Sequence, residues 1–126
     1  MSDFTNLKAW QEGRVFRNMI KDLVKSFPAE EKFKLCDQIL RSSRSVTNNI
    51  SEGYGRFHYQ ENIQFCRSAR GSLTETKDHL TIALDHEYIS NQVFDEFMIQ
   101  YEKCIKILNG YINFLMKEKE NHKQLT

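Results

Sequence analysis

The side chains best equipped for chemistry in this sequence are its seven arginines, Arg14, Arg17, Arg41, Arg44, Arg56, Arg67 and Arg70. A guanidinium pairs bidentately with a carboxylate or a phosphate, and lysine does not replace it there. All seven precede residue 71, and the rest of the chain uses lysine alone. Residues 41–70 hold five basic and two acidic side chains, whereas residues 71–126 hold six and nine. Inside the basic stretch Arg41, Ser45, Asn49 and Glu52 recur at steps of four, four and three, a polar ridge beside an apolar seam. Further on, Arg67, Arg70, Ser72 and Glu75 crowd around Gly71. A glycine inside a helix costs about 1 kcal/mol relative to alanine, so Gly71 calls for close backbone approach by another helix, from this subunit or a neighbour.

Two readings of this cluster follow. In the first, Arg41, Arg67 and Arg70 pair with Glu52 and Glu75 while Asn49 caps or bridges backbone groups, giving a network that fixes register or lines a subunit contact. In the second, Arg41, Arg44, Arg56, Arg67 and Arg70 line a surface that receives phosphates. The first weighs more, because two acids lie within helical reach of the arginines. The two are compatible: paired arginines can also meet RNA.

Other chemistry has less support. A carboxylate-bridged metal bundle needs Glu-x-x-His on two helices, and none occurs. Glu75 and His79 are four apart, and His79 and His86 share a helix face without a further ligand, as solvated or core-edge histidines do. Cys36, Cys66 and Cys104 sit on apolar stripes and read as inert, reduced thiols. Neither a nucleophile elbow nor a phosphate-cradling glycine loop is present. The expectation is a non-enzymatic protein with no cofactor. Phe57 and Tyr59, beside Arg56 and His58, could stack on bases. Packing the mouth of a bundle weighs more for such aromatics.

The elements that must position these residues are helical throughout. Trp10, Phe16, Met19, Ile20, Leu23, Val24 and Phe27 mark a first helix over about 7–26, stopped at Phe27-Pro28. Pro28 suits the first turn of a second helix over about 29–53, with Glu30 and Glu31 at its positive end. Phe33, Cys36, Ile39, Leu40, Ser43, Val46 and Ile50 form its seam, and Gly53 and Gly55 can supply a left-handed cap. The third helix, about 59–86, carries Ile63, Cys66, Ala69, Leu73, Thr76 and Leu80 on one face, its small residues permitting close contact. Ser90 caps a fourth helix over about 91–116, and 117–126 read as a fraying, solvated tail. Short connections favour antiparallel neighbours, hence a single all-α domain: an up-down-up-down four-helix bundle.

The totals agree with this. At 126 residues the chain suits one domain with a real core, and 28% charged residues is ordinary globular composition. A formal net charge of +1 gives no strong overall field for a polyanion. No apolar run approaches the ~18 residues of a membrane span. The opening Met1-Ser2-Asp3-Phe4-Thr5-Asn6 lacks the layout of a signal peptide, so a cytoplasmic location is expected.

Two segments carry a resemblance. Ser45-Val46-Thr47-Asn48-Asn49-Ile50-Ser51-Glu52-Gly53-Tyr54-Gly55-Arg56 and Phe65-Cys66-Arg67-Ser68-Ala69-Arg70-Gly71-Ser72-Leu73-Thr74-Glu75 resemble the bacterial four-helix-bundle family of 23S rRNA intervening-sequence proteins. Leu7 to Gln11 and the Phe27-Pro28 junction are similar to its first helix and turn. The family is related to the accessory variability determinants of diversity-generating retroelements, basic pentameric barrels that associate with a reverse transcriptase and nucleic acid. The resemblance implies a homo-oligomeric ring, a homopentamer, partnered by RNA or a nucleic-acid-processing protein. A structural or protein-interaction scaffold without nucleic acid is the alternative. The chain departs from the pattern at His86-Glu87-Tyr88-Ile89, where such sequences often carry leucine and glycine before Tyr-Ile.

Overall fold

The structure, a computed structural model, describes residues 3–125; Met1, Ser2 and Thr126 lie outside it. Four helices, α1 (Lys8–Leu23), α2 (Leu35–Tyr54), α3 (Tyr59–Asp85) and α4 (Asn91–Leu125), make an all-α bundle with no strand among the described residues. α1 packs on α2 and α4, and α3 does likewise, so the helices close a square around one core. That core is built from Phe16 and Ile20 of α1, Ile39, Val46 and Ile50 of α2, Leu73 and Leu80 of α3, and Leu108 of α4, all at most 1% exposed. Burying such side chains contributes roughly 1.5–3 kcal/mol each and is what holds the helices together.

The α1–α2 connection departs from expectation. Phe27 is extended before Pro28, as the proline ring requires. Pro28 then leads into a single 3-10 turn, Ala29–Glu31, and α2 begins only at Leu35. Lys34, at φ −123° and ψ −102°, separates the two. The Glu31 carboxylate accepts from the Tyr88 hydroxyl at 2.8 Å and from the Leu35 backbone N–H at 3.4 Å. It thereby ties this turn to the α3–α4 connection and caps α2. Phe33, expected in the α2 seam, falls in the turn and is 84% exposed.

Left-handed backbone also lies elsewhere than expected. Neither Gly53 nor Gly55 has a positive φ; Phe57 does, at 60°, and so does Glu87, at 62°. Glu87 ends α3 in a Schellman arrangement: its N–H bonds the Leu84 carbonyl and the Tyr88 N–H bonds that of Ala83. This is the position where the related pattern often carries glycine, and glutamate takes it at a steric cost. At the other end of the molecule, α4 continues as helix through the stretch expected to fray. Lys119 reaches Gln60 of α3, and His122 lies against Tyr59 with ring centroids 6.1 Å apart. Contacts with α3 hold these last turns.

Candidate functional site

The sequence-derived cluster divides into a seam and four separate arginine sites. The seam joins α2 and α3. Thr76 donates to the Ser72 carbonyl at 2.8 Å, and its hydroxyl lies 2.8 Å from that of Ser42. The Ser42 hydroxyl also reaches a carbonyl of its own helix, that of Ile39 at 3.3 Å. Ser72 reaches Ser45 at 3.0 Å, and Asn49 donates to the Ser45 carbonyl and hydroxyl at 2.9 and 3.0 Å. One turn further along α2, a Cβ on Gly53 would stand 2.8 Å from both Phe65 Cβ and Asn62 Oδ1. Gly53 is therefore a close-packing glycine, whereas Gly55 ends α2 in right-handed backbone. Ser45, Asn49 and Ser72 belong to this neutral seam; Glu52 and Glu75 do not.

Gly71 has no place in it. It is exposed, and a Cβ there would meet nothing within 4 Å. Close approach within the subunit does not explain it.

The arginine pairing differs from the expected one: Arg41 and Arg56 take carboxylates near them in sequence, whereas Arg70 reaches across to α4. Arg41 pairs with Asp37 at 2.9 Å, not with Glu52. Arg56 takes Glu52 at 3.6 Å and Glu61 at 3.8 Å, and covers the Phe65 ring. Arg70 donates to the Asn109 side chain of α4 at 2.8 Å, while Glu75 lies 3.2 Å from His79. Among the described residues, no hydrogen bond or ion pair engages the guanidinium of Arg44 or of Arg67. Arg41 and Arg44 share a shallow depression on α2 with Asn48, whereas Arg67 borders α4 beside Met116 and Lys119. The five arginines thus do not converge on one surface. The other two, Arg14 and Arg17, each lie 5.6 Å from the Trp10 ring, and Arg17 also donates to the Thr47 hydroxyl at 2.6 Å.

Sequence reading missed a buried acid. Glu12 is 6% exposed and faces α4. Gln100 donates to its carboxylate at 3.0 Å, and Lys103 and Lys8 stand at 3.4 and 3.5 Å. The Gln100 hydrogen bond, assisted by the two ammonium groups, outweighs desolvation and holds this carboxyl below the usual glutamate range. The same amide and the Cys104 thiol both bond the Glu12 backbone carbonyl. A signal existed, since Glu12 and Gly13 stand between Ala9 and Phe16 at helical spacing, which is the buried face of α1.

Burial pushes the Cys66 and Cys104 thiols up to about 12 and raises Cys36 as well. A thiol so placed supplies almost no thiolate at neutral pH. His79 is buried, with Nδ1 lacking any hydrogen-bond partner, while His86 lies exposed against Tyr88. No group of three or more histidine, cysteine or acidic side chains placed to hold a metal ion occurs among the described residues. Nor, among them, is any helix long and apolar enough to cross a membrane.

Comparison with known proteins places this arrangement. A solved structure from Bacteroides thetaiotaomicron, described as a protein with unknown function from the S23 ribosomal protein family, superposes with a TM-score of 0.76 at 26% identity. The match covers 82% of this chain and 97% of that one. No curated protein matches the chain. The family model described as 23S rRNA-intervening sequence protein matches residues 5–110, which include the α2–α3 seam, Gly53 and all seven arginines. The chain belongs to the 23S rRNA-intervening sequence protein family.

Proposed function

We propose that this protein is a non-enzymatic, cytoplasmic bundle that assembles into a homo-oligomeric ring, a homopentamer, and serves as an RNA-associated accessory factor. The observation that carries the reading is the state of Arg44 and Arg67. Both are exposed, and neither is neutralised by a carboxylate. An exposed guanidinium without an internal partner is free to meet a phosphate, and Arg41 beside Arg44 keeps most of its surface in water despite Asp37. Family membership supports an RNA connection through the family's description alone. The inert thiols argue for a non-catalytic role.

Self-assembly has separate support. Gly71 and Gly110 both lie open on the surfaces of neighbouring helices, with nothing within 4 Å of either Cβ position. Each weakens its own helix without an internal return, which a close-packed neighbour would explain. On α4, Ile99 and Phe114 are 73% and 55% exposed, and an assembly would cover them.

An RNA gel-shift with a salt titration tests the reading. Binding should weaken steeply with salt, and Arg44→Gln should lower both the affinity and the slope. No RNA affinity near physiological ionic strength would remove the RNA role. A defined oligomer without such affinity would favour the scaffold instead. A strict monomer in light scattering at micromolar concentration would remove the ring.

A further inference from the structure

One end of the bundle carries a feature that the arginine cluster does not explain. Between the start of α3 and the last turns of α4 runs an open cleft of about 590 Å³, lined by Phe57, His58, Tyr59, Lys119 and His122, with Lys123 at its edge. It continues along Gln60 into a second hollow of about 190 Å³ bordered by Arg67 and Met116. Phe57 is 88% exposed, and its backbone sits at φ 60°. A large aromatic held outward by left-handed backbone is costly twice over, in solvation and in strain, and such positions concentrate where a ligand is met. Tyr59, partly exposed, is held by the His122 ring. Arg67 and Lys119 lie along the lining with one acid, Glu120. Lys119 bonds Gln60, a neutral partner that leaves its charge uncompensated.

Aromatic faces interleaved with cations are what an unpaired nucleotide strand requires. Bases stack on the rings and phosphates follow the cations. A duplex offers no free base faces, so Phe57 would find nothing to stack against. The family match ends at residue 110, so α3 brings one wall from the shared segment while α4 brings the other from beyond it. We infer that the Phe57–Tyr59 turn and the last turns of α4 form a clamp for single-stranded RNA, with bases on Phe57 and backbone along Arg67 and Lys119. The inference rests on the RNA reading above but assigns the strand to a different surface from Arg41 and Arg44.

Fluorescence anisotropy with a labelled eight-nucleotide single-stranded RNA, and with the same sequence as a duplex, tests it at several salt concentrations. The full chain should bind the single strand more tightly than the duplex. Phe57→Ala should weaken single-strand binding about tenfold, in line with the loss of one stacked base, and leave duplex binding unchanged. Because Phe57 is so exposed, its removal should not lower the melting temperature, which separates lost stacking from lost folding. Arg67→Gln combined with Lys119→Gln should flatten the salt slope by about 1.4, at roughly 0.7 for each phosphate contact on a single strand. If Phe57→Ala binds the single strand like the parent while Arg44→Gln does not, the clamp is wrong and the α2 surface stands. Equal affinity for duplex and single strand also overturns the clamp. If the parent binds neither, both readings fail.

Discussion

Two of the polar contacts between helices, the α2–α3 seam and the α1–α4 junction, are built on opposite principles. Between α2 and α3 the polar groups are neutral and small: Ser42 with Thr76, Ser45 with Ser72 and Asn49, then Gly53 against Asn62 and Phe65. Between α1 and α4 a single carboxylate, Glu12, is buried under the Gln100 amide and two lysines. Hydroxyls satisfied by nearby carbonyls let backbones approach closely and add no net charge. A buried carboxylate needs every one of its partners and makes its junction sensitive to pH. The seam therefore tolerates the loss of a hydrogen bond better than the gain of volume, whereas the α1–α4 junction depends on the partners of one carboxylate.

The largest effect expected is at Gly53. Gly53→Leu places side-chain atoms inside the volume of Phe65 and Asn62, and should cost more than about 3 kcal/mol or abolish the α2–α3 contact. Urea denaturation read by circular dichroism measures this, and a variant as stable as the parent would mean the helices do not approach so closely. Next, Glu12→Ala removes the acceptor of one Gln100 N–H, while the amide keeps its bond to the backbone carbonyl of residue 12. The two lysines are more than half exposed and find water instead, so the cost should be about 1–2 kcal/mol.

The pH dependence follows in direction. Glu12 has a folded pKa below its ordinary 4.5, so the stability it contributes is present above 4.5 and is lost as pH falls through the lowered folded value. Glu31 is held low in the same sense by the Tyr88 hydroxyl, so the informative quantity is a difference. Melting temperatures of the parent and Glu12→Gln should converge as pH falls below 4.5 and through the lowered folded value, because the parent alone loses the Glu12 contribution. Parallel curves would show that the carboxylate charge does not matter.

The smallest effects lie in the seam and on the open helix face. Ser42→Ala should cost only about 0.5–1 kcal/mol, since Thr76 keeps its bond to the Ser72 carbonyl. Gly71→Ala should stabilise the isolated subunit by up to about 1 kcal/mol, against severe destabilisation at Gly53, because nothing occupies the space. If instead it disrupts the assembly seen by light scattering, a neighbouring subunit packs there.

Legibility followed the range of the interaction that decides each feature. Helices α1, α3 and the start of α4 were readable because apolar residues at helical spacing report local periodicity, and Phe27-Pro28 announced its own break. The delayed start of α2 was not readable, because it depends on Glu31 meeting Tyr88, 57 residues away. The end of α4 was equally hidden: a charged run reads as a solvated tail until α3 lies beside it. Within the candidate site, Ser45 and Asn49 were recognisable as part of a polar ridge on α2, whereas Gly53, expected as a left-handed cap, packs against α3 instead. Arginine partners were not recognisable, since spacing along one helix does not show that Arg70 reaches Asn109 across the α3–α4 contact or that Arg56 takes Glu61 as well as Glu52.

By itself, the sequence determined a four-helix bundle, because the spacing of apolar residues, one proline and short connections leave few other ways to bury that surface. Tertiary structure alone decided which glycine is packed and which is open, which glutamate is buried, and which arginines remain free. Those outcomes depend on what lies across an interface from a residue, and neighbours far apart in sequence supply it.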